Sequence, residues 1–267
     1  MAYEDILYEK RGGIATVTIN RPKVLNAFRA KTVEEMLAAV QDADYDDGIG
    51  VIVLAGAGDR AFSAGGDNSD RDNASKVGAG YGGRGLVGMP IEELHGAIRD
   101  ARKPVIAKVQ GYAIGGGNVL ATICDLTIAS EKAVFGQVGP RVGSVDPGWG
   151  TAYLSRLVGE KRAREIWFLC RRYTAAEAFQ MGLVNKVVPA EELDAEVESW
   201  CREILALSPT AIAIAKRSFN ADSENIRGIG ALGFEALALY YGSEEAKEGT
   251  SAFLEKRRPD FRAKRKP

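Results

Sequence analysis

The chain has 267 residues, enough for a large hydrophobic core, with 46% hydrophobic and 27% charged residues. Its formal charge of −1 argues against nucleic-acid binding, and no apolar run reaches membrane-spanning length. Three widely spaced cysteines and one histidine predict a reduced, cytoplasmic protein without disulfides or a bound metal.

Hydrophobic periodicity predicts repeated strand–strand–helix units followed by a helical region. Strands are predicted at 6–11 and 14–20, joined as a hairpin, and at 51–55, 105–109, 126–129 and 183–188. Helices are predicted at 32–43, 91–102, 151–157, 161–170 and from 191 onward, with breaks near 208–209, 221–225 and 242–243. Residues 56–89 and 136–150 are glycine-rich without a period, which predicts long functional loops. The expected organisation is an α/β core over residues 1–190 and a helical region over residues 191–267.

Two glycine-bearing turns are the first candidates for a ligand site. The strand at 105–109 is expected to lead through Gly115, Gly116 and Gly117 into a helix, which leaves free backbone N–H groups. The sequence Phe62-Ser-Ala-Gly-Gly-Asp forms a second such turn after the strand at 51–55. Amides from two turns that converge on one oxygen stabilise an oxyanion by about 3 kcal/mol per donor. A tight turn without any ligand explains either sequence equally well when it is taken alone.

Two other motifs lack the context that their function requires. The residues at 78–83 match the glycine pattern of a dinucleotide site, but a polar stretch precedes them where a strand is needed. Ser63 lacks the flanking glycines of a nucleophile elbow. His95, in an amphipathic stretch, is interpreted as a helix-face residue rather than a catalytic one.

Three segments together resemble the crotonase (enoyl-CoA hydratase/isomerase) superfamily. They are Ala61–Asp67, Gly111–Gly117 and Phe135–Gln137, in this order and spacing. The resemblance implies a spiral of ββα units, a C-terminal helical region that forms trimers or hexamers, and acyl-CoA thioester substrates. It also implies that the amides of Gly66 and Gly116 hold a thioester enolate, with coenzyme A as part of the substrate and no tightly bound cofactor.

Departures from the hydratases narrow the expected reaction. Val119 and Gly139 stand where hydratases carry two catalytic glutamates, which argues against simple hydration. The segments 136–146, 163–170 and 256–261 are similar to the 1,4-dihydroxy-2-naphthoyl-CoA synthases, which close a ring. The segments 115–125 and 144–148 look more like the 2-ketocyclohexanecarboxyl-CoA hydrolases, which open one. Both resemblances imply catalytic roles for Ser144, Asp146 and Tyr241.

The resemblance also implies residues that contact the substrate. Contacts to coenzyme A are expected from the backbone of two stretches, one with Lys23, Val24, Leu25 and Ala27 and the other with Ser63, Ala64 and Gly65, and from a neighbouring subunit's Phe253 and Lys256. Contacts to the acyl group are expected at Tyr81, Arg84 and Gly139, the last leaving a space for an anion or water.

Alternatives remain open for both the residues and the activity. Ser144 and Asp146 could cap the following helix, and Tyr241 could be a core residue. The favoured activity is hydrolytic ring opening of a cyclic β-ketoacyl-CoA. Ring closure by a Dieckmann condensation and non-catalytic acyl-CoA binding are the alternatives.

Overall fold

The computed structural model describes residues 3–75 and 80–262. The first two residues of the dinucleotide-like sequence at 78–83 and the basic run at 264–266 lie outside these ranges.

Within the described ranges, ten strands form two sheets. The larger sheet has the order β1-β2-β3-β5-β7-β10 and the smaller has the order β4-β6-β8-β9. Pairing is parallel except within the β1–β2 hairpin and between β8 and β9. The strands are β1 (Ile6–Arg11), β2 (Ile14–Ile19), β3 (Val51–Gly56), β4 (Ala61–Ser63), β5 (Val105–Val109), β6 (Tyr112–Ile114), β7 (Leu126–Ser130), β8 (Val134–Gly136), β9 (Tyr173–Thr174) and β10 (Lys186–Val188).

The described helices cover the sheets and make up the C-terminal region. A single π-helical turn at Trp149–Tyr153 precedes the fifth of them. The α-helices are α1 (Ala30–Tyr45), α2 (Asn68–Ser75), α3 (Ile91–Asp100), α4 (Gly116–Ile123), α5 (Leu154–Val158), α6 (Glu160–Leu169), α7 (Ala175–Gln180), α8 (Leu193–Leu205), α9 (Pro209–Asp222), α10 (Asn225–Tyr241) and α11 (Glu244–Leu254).

The longer predicted elements are confirmed, whereas three short strands, β4, β6 and β8, were not predicted. Strands β4, β6 and β8 have three residues each, too few for hydrophobic alternation to appear. The glycine turn at 115–117 therefore follows β6 and not the strand at 105–109, which is a correction to the expected order. The loop predicted at 56–89 likewise contains β4 and the polar helix α2.

The chain alternates between the two sheets, and this alternation builds the site. Strands β3, β5 and β7 enter the larger sheet, and each is followed by a strand of the smaller sheet. All six residues of β3 are buried, as expected for a parallel strand covered on both faces. Because β4, β6 and β8 run parallel, their carboxyl ends lie side by side at one edge of the smaller sheet. Within the described ranges, no helix is both long and apolar enough to cross a bilayer.

Candidate active site

Three loops meet at the carboxyl edge of the smaller sheet. Ser63 of β4 pairs with Ala113 of β6, and Ile114 of β6 pairs with Gly136 of β8. The residues that follow these strands are therefore neighbours. Ligands of parallel α/β sheets bind at this edge because the loops there converge.

The first two loops bring the predicted amide donors together. A Cβ atom added to Gly65, whose φ is +89°, would lie 2.8 Å from the amide nitrogen of Gly116. Only glycine permits this approach. Gly116 opens α4, so its N–H has no acceptor within the helix. The Gly66 amide is not used in the bridge to Phe28, whose two hydrogen bonds involve Gly65 and Asp67 instead.

The third loop carries Ser144, one member of a pair of hydroxyl groups. The Ser144 hydroxyl lies 2.8 Å from the Tyr241 hydroxyl at the end of α10, and either oxygen can be the donor. Phe234, Leu237 and Tyr241 recur at helical spacing, so one face of α10 closes this side of the site. The Tyr241 side chain thus belongs both to the core and to the cavity wall, and the two interpretations of this residue are compatible.

Asp146 supplies the carboxylate of the site. Its Oδ1 accepts a hydrogen bond from the Gly150 amide at 3.3 Å, while the π-helical turn itself begins with Gly148 as its N-cap. The aspartate thus contacts the start of that turn without occupying the cap position. Burial raises the pKa of Asp146 to about 7, the Gly150 N–H opposes the shift, and the Glu92 carboxylate adds to it. A carboxylate with this pKa is suited to accept and return a proton near neutral pH.

One cavity joins these groups. Both predicted amide donors, both hydroxyl-bearing residues and Asp146 line it, together with an apolar wall. Asp146 is the only acidic residue, and Arg71 the only basic one, among the described residues that line the cavity. The apolar wall consists of Phe28, Val87, Met89, Ile91, Val138, Val142, Val145, Phe234 and Leu237. The cavity therefore presents an apolar surface, one carboxylate, one guanidinium and two exposed turns of backbone.

The sequence profile of the enoyl-CoA hydratase/isomerase family matches residues 9–264. This chain belongs to that family. An enoyl-CoA hydratase from Mycobacterium avium subsp. paratuberculosis K-10 is 30% identical, with 97% of this chain and 99% of that chain covered and a TM-score of 0.85. An enoyl-CoA hydratase structure from Geobacillus kaustophilus is 33% identical over 98% and 99% of the two chains, with a TM-score of 0.73.

A third relative is named for a different activity. A carnitinyl-CoA hydratase from Mycobacterium avium is 29% identical over 98% of this chain and all of its own, with a TM-score of 0.83. The predicted crotonase fold is therefore confirmed. The chain is an acyl-CoA-processing enzyme of the enoyl-CoA hydratase/isomerase superfamily.

The predicted coenzyme A segment lies beside the first glycine turn. The Leu25 carbonyl accepts a hydrogen bond from the Ala64 amide at 3.0 Å, so the stretch containing Lys23, Val24, Leu25 and Ala27 runs along the end of β4. Lys23 and Val24 are exposed, and Ala64 lines the cavity. This stretch therefore lies beside the turn that carries Gly66.

Ser63 has an internal role through its side chain, and the backbone contact predicted here stays a prediction. Its side chain is fully buried, and its hydroxyl donates to the Asn26 carbonyl at 2.8 Å. The same oxygen accepts a hydrogen bond from the Gly65 amide at 3.1 Å. Because both interactions are internal, the hydroxyl fixes the turn that presents Gly66 and does not face the cavity.

Tyr81 and Arg84, the two residues of the long loop that were predicted to contact the substrate, lie in different places. Tyr81 is 9% exposed and lines the cavity with its ring edge-on to Tyr241. A Cβ added to Gly66 would lie 2.1 Å from the Tyr81 hydroxyl, which places that hydroxyl beside the predicted oxyanion site. Arg84 instead is exposed and pairs with Glu93 and Glu34, and it does not line the cavity.

Gly139 is required by packing as well as by the cavity. A Cβ added there would lie 2.4 Å from the Ser144 carbonyl oxygen and 2.9 Å from the Trp167 ring. The side-chain direction at Gly139 is therefore filled, which corrects the expectation of free space there. The backbone of Gly139 still lines the cavity, so a glutamate could not replace it without moving the Ser144 loop.

Three remaining candidates lie away from the cavity. Phe253 and Lys256 line a separate surface groove with Arg141 and Arg258, and their predicted contact across a subunit interface stays a prediction. His95 is fully buried in α3 against Phe234. Neither ring nitrogen of His95 has a hydrogen-bond partner among the described residues, and burial lowers its pKa to about 3.

Two of the polar residues that sequence reasoning missed in the cavity are Trp167 and Arg71. Trp167, in α6, lines it and donates its indole N–H to the Gly150 carbonyl, next to the group that contacts Asp146. Arg71, in α2, is 3% exposed and stacks on the Tyr241 ring. The sequence around Arg71 is polar throughout, so no periodicity distinguished this arginine from the residues beside it.

Proposed function

We propose that this enzyme opens the ring of a cyclic β-ketoacyl-CoA by adding water across a carbon–carbon bond. A six-membered ring, as in 2-ketocyclohexanecarboxyl-CoA, is the favoured substrate, and pimeloyl-CoA is the corresponding product. The single observation that carries the proposal is the pairing of one carboxylate, Asp146, with the Ser144–Tyr241 hydroxyl pair in one cavity.

The polar groups suit the addition of water to a ketone. Asp146, with its pKa near neutrality, orients the water and accepts its proton. Ser144 and Tyr241 donate hydrogen bonds to the ketone oxygen as it becomes an alkoxide. The addition places a tetrahedral carbon between the carboxylate and the two hydroxyl groups.

The glycine turns suit the bond cleavage that follows. When the carbon–carbon bond breaks, its electron pair passes to the thioester as an enolate. Donors aimed at the enolate oxygen accelerate the reaction only if they bind it more tightly than the starting carbonyl. The amides of Gly66 and Gly116, on adjoining turns, are the groups that we assign to this oxygen.

The cavity wall supports a ring as the reacting group. Side chains from the segment 87–91 and from α10 provide an apolar surface opposite the polar groups. An alicyclic ring buries its methylene groups against such a surface, while its ketone faces the hydroxyl pair. The cavity gives little support to the hydration of an enoyl-CoA. Its described lining holds one acidic group, whereas that reaction uses two.

The test is incubation of the purified enzyme with 2-ketocyclohexanecarboxyl-CoA in heavy-oxygen water, followed by mass spectrometry. We expect a product heavier by one water, with the heavy oxygen in the new carboxylate. Crotonyl-CoA and o-succinylbenzoyl-CoA serve as parallel substrates. Faster hydration of crotonyl-CoA, or conversion of o-succinylbenzoyl-CoA to a naphthoyl thioester, would assign the enzyme to another reaction. Binding of all three without turnover would support an acyl-CoA-binding role.

A further inference from the structure

Arg71 is a buried cation on the wall of the cavity. Its side chain comes from α2 and is 3% exposed, and its guanidinium carbon lies 4.9 Å from the centre of the Tyr241 ring. A guanidinium removed from water is costly unless charged or polar groups compensate for it. The groups that surround Arg71 therefore indicate what this residue is for.

The hydrogen-bond acceptors of Arg71 are all uncharged. Its Nη2 donates to the Val142 carbonyl at 2.6 Å and to the Thr250 hydroxyl, and its Nη1 lies 3.4 Å from the Gly143 carbonyl. No carboxylate pairs with it among the described residues. Two other arginines of the N-terminal half, Arg21 and Arg29, do pair with buried aspartates.

The proposed reaction creates an anion close to this cation. Water adds to the ring ketone, the bond between the ketone carbon and the α-carbon breaks, and its electron pair forms the thioester enolate. One proton of the water reaches the α-carbon, and the other leaves the new carboxylic acid. The carboxylate thus forms on the carbon that Ser144 and Tyr241 hold, directly beside the ring on which Arg71 stacks.

We infer that Arg71 binds the carboxylate that ring opening creates, and so selects acyl-CoA esters with an anionic end. This inference rests on the proposed function for the identity of the anion. A guanidinium makes charge-assisted hydrogen bonds to a carboxylate, and in a site with little water these are stronger than bonds between neutral groups. The same cation offsets repulsion between the new carboxylate and Asp146.

Binding rather than turnover is the appropriate measurement. The dissociation constants of pimeloyl-CoA and heptanoyl-CoA are compared by calorimetry, because the two esters have equal chain lengths and differ in the terminal carboxylate. For the wild-type enzyme we expect pimeloyl-CoA to bind about ten- to a hundredfold more tightly. Equal affinities of the wild-type enzyme for the two esters would overturn the inference without any variant.

Three variants separate charge recognition from support of the fold. Arg71→Gln removes the charge but can still donate to the Val142 carbonyl, and it should bind both esters equally, with the heptanoyl-CoA affinity unchanged. Arg71→Lys should retain part of the preference. Arg99→Gln is the matched control, because Arg99 is also buried and stacked on aromatic rings, those of Trp149 and Tyr153, but does not line the cavity. Its variant should keep the full preference.

The outcomes distinguish this inference from the proposed function. If the wild-type enzyme opens the ring and Arg71→Gln keeps the preference for pimeloyl-CoA, the inference alone is wrong. If both esters weaken equally, Arg71 only supports the Val142–Gly143 loop, and the inference is again wrong. If ring opening is absent but the preference exists and Arg71→Gln abolishes it, the carboxylate site stands and the proposed reaction does not.

Discussion

Asp146, which is half-buried, and His95, which is fully buried, are two titratable groups with different surroundings. Burial shifts the pKa of each toward the neutral form, to about 7 for the carboxyl and to about 3 for the imidazole. Asp146 faces the cavity and contacts the Gly150 amide, whereas His95 lies behind the cavity wall against Phe234. A large pKa shift therefore marks a functional group here only where the group can also reach a substrate.

The two groups also affect stability with opposite signs. Because the pKa of Asp146 is raised, the folded state holds a proton that the unfolded state has lost. Stability therefore falls as the pH rises from about 4 to about 7. Because the pKa of His95 is lowered, the unfolded state holds the extra proton. Stability therefore rises as the pH rises from about 3 to about 6.5. Removing each group should therefore change stability in a different pH range.

The largest expected effect belongs to Asp146→Asn. Loss of a general base typically lowers turnover by about a hundred- to ten-thousandfold, and the affinity for pimeloyl-CoA should not fall. Because the variant cannot ionise, its melting temperature at pH 8 should exceed that of the wild-type enzyme. Steady-state kinetics and thermal melts check both effects, with His95→Gln as the control for loss of a buried titratable group. Wild-type turnover by Asp146→Asn would remove this residue from the mechanism.

The next effect belongs to the hydroxyl pair. Tyr241→Phe and Ser144→Ala each remove one partner of a hydrogen bond that we place on the developing alkoxide. Each should lower turnover about tenfold, and the double variant should lose less than the product of the two because the groups act together. Measured rates for the single and double variants test this coupling. Fully multiplicative losses would indicate that the two hydroxyl groups act independently.

The pH dependence of turnover should report Asp146 alone. Ring opening needs the ionised carboxylate, so turnover should rise with pH to a plateau through an apparent pKa of about 7. His95 should leave no inflection at its ordinary pKa, since it is neutral in the folded state over this range. Rates measured from pH 5 to pH 9 check this expectation, and the profile of His95→Gln should superimpose on that of the wild-type enzyme. A profile that His95→Gln alters would assign the histidine a role in the reaction.

The smallest expected effect is that of His95→Leu on stability. The substitution removes two ring nitrogens that have no hydrogen-bond partner among the described residues, and it removes the proton uptake on unfolding. We expect the gain in unfolding free energy to be larger at pH 5 than at pH 8, by about 2 kcal/mol. Urea titrations at the two pH values measure this difference. A larger gain at pH 8 would contradict the assignment of His95 as a neutral buried residue.

The longer helices and strands could be predicted because their sequence signals are local. Thr174 is of a residue type that favours helix N-caps, and its hydroxyl accepts a hydrogen bond from the Glu177 amide at 3.2 Å at the start of α7. The hairpin at 6–19 and the breaks between the C-terminal helices follow from glycine and proline positions in the same way. Three-residue strands such as β6 have no such signal, because their stability comes from neighbours distant in the sequence.

The candidate site was predicted in part for a similar reason. The glycines at 65–66 and 115–117 and the residues Ser144 and Asp146 stand in recognisable segments. By contrast, nothing local distinguished Arg71 from the exposed Arg84, although one lines the cavity and the other pairs with surface glutamates. That difference depends on which loop folds over which helix.

By itself, the amino-acid sequence determined the family, the α/β class, the positions of the long helices and strands, and the glycine turns. Tertiary structure alone decided which side chains meet: Arg71 on Tyr241, Ser63 beneath the Gly65 turn, and Trp167 beside Gly139. The physical reason is that backbone conformation and amphipathic patterning depend on residues close in the chain. Burial, charge pairing and the pKa of Asp146 depend on groups that only the packed fold brings within a few ångströms.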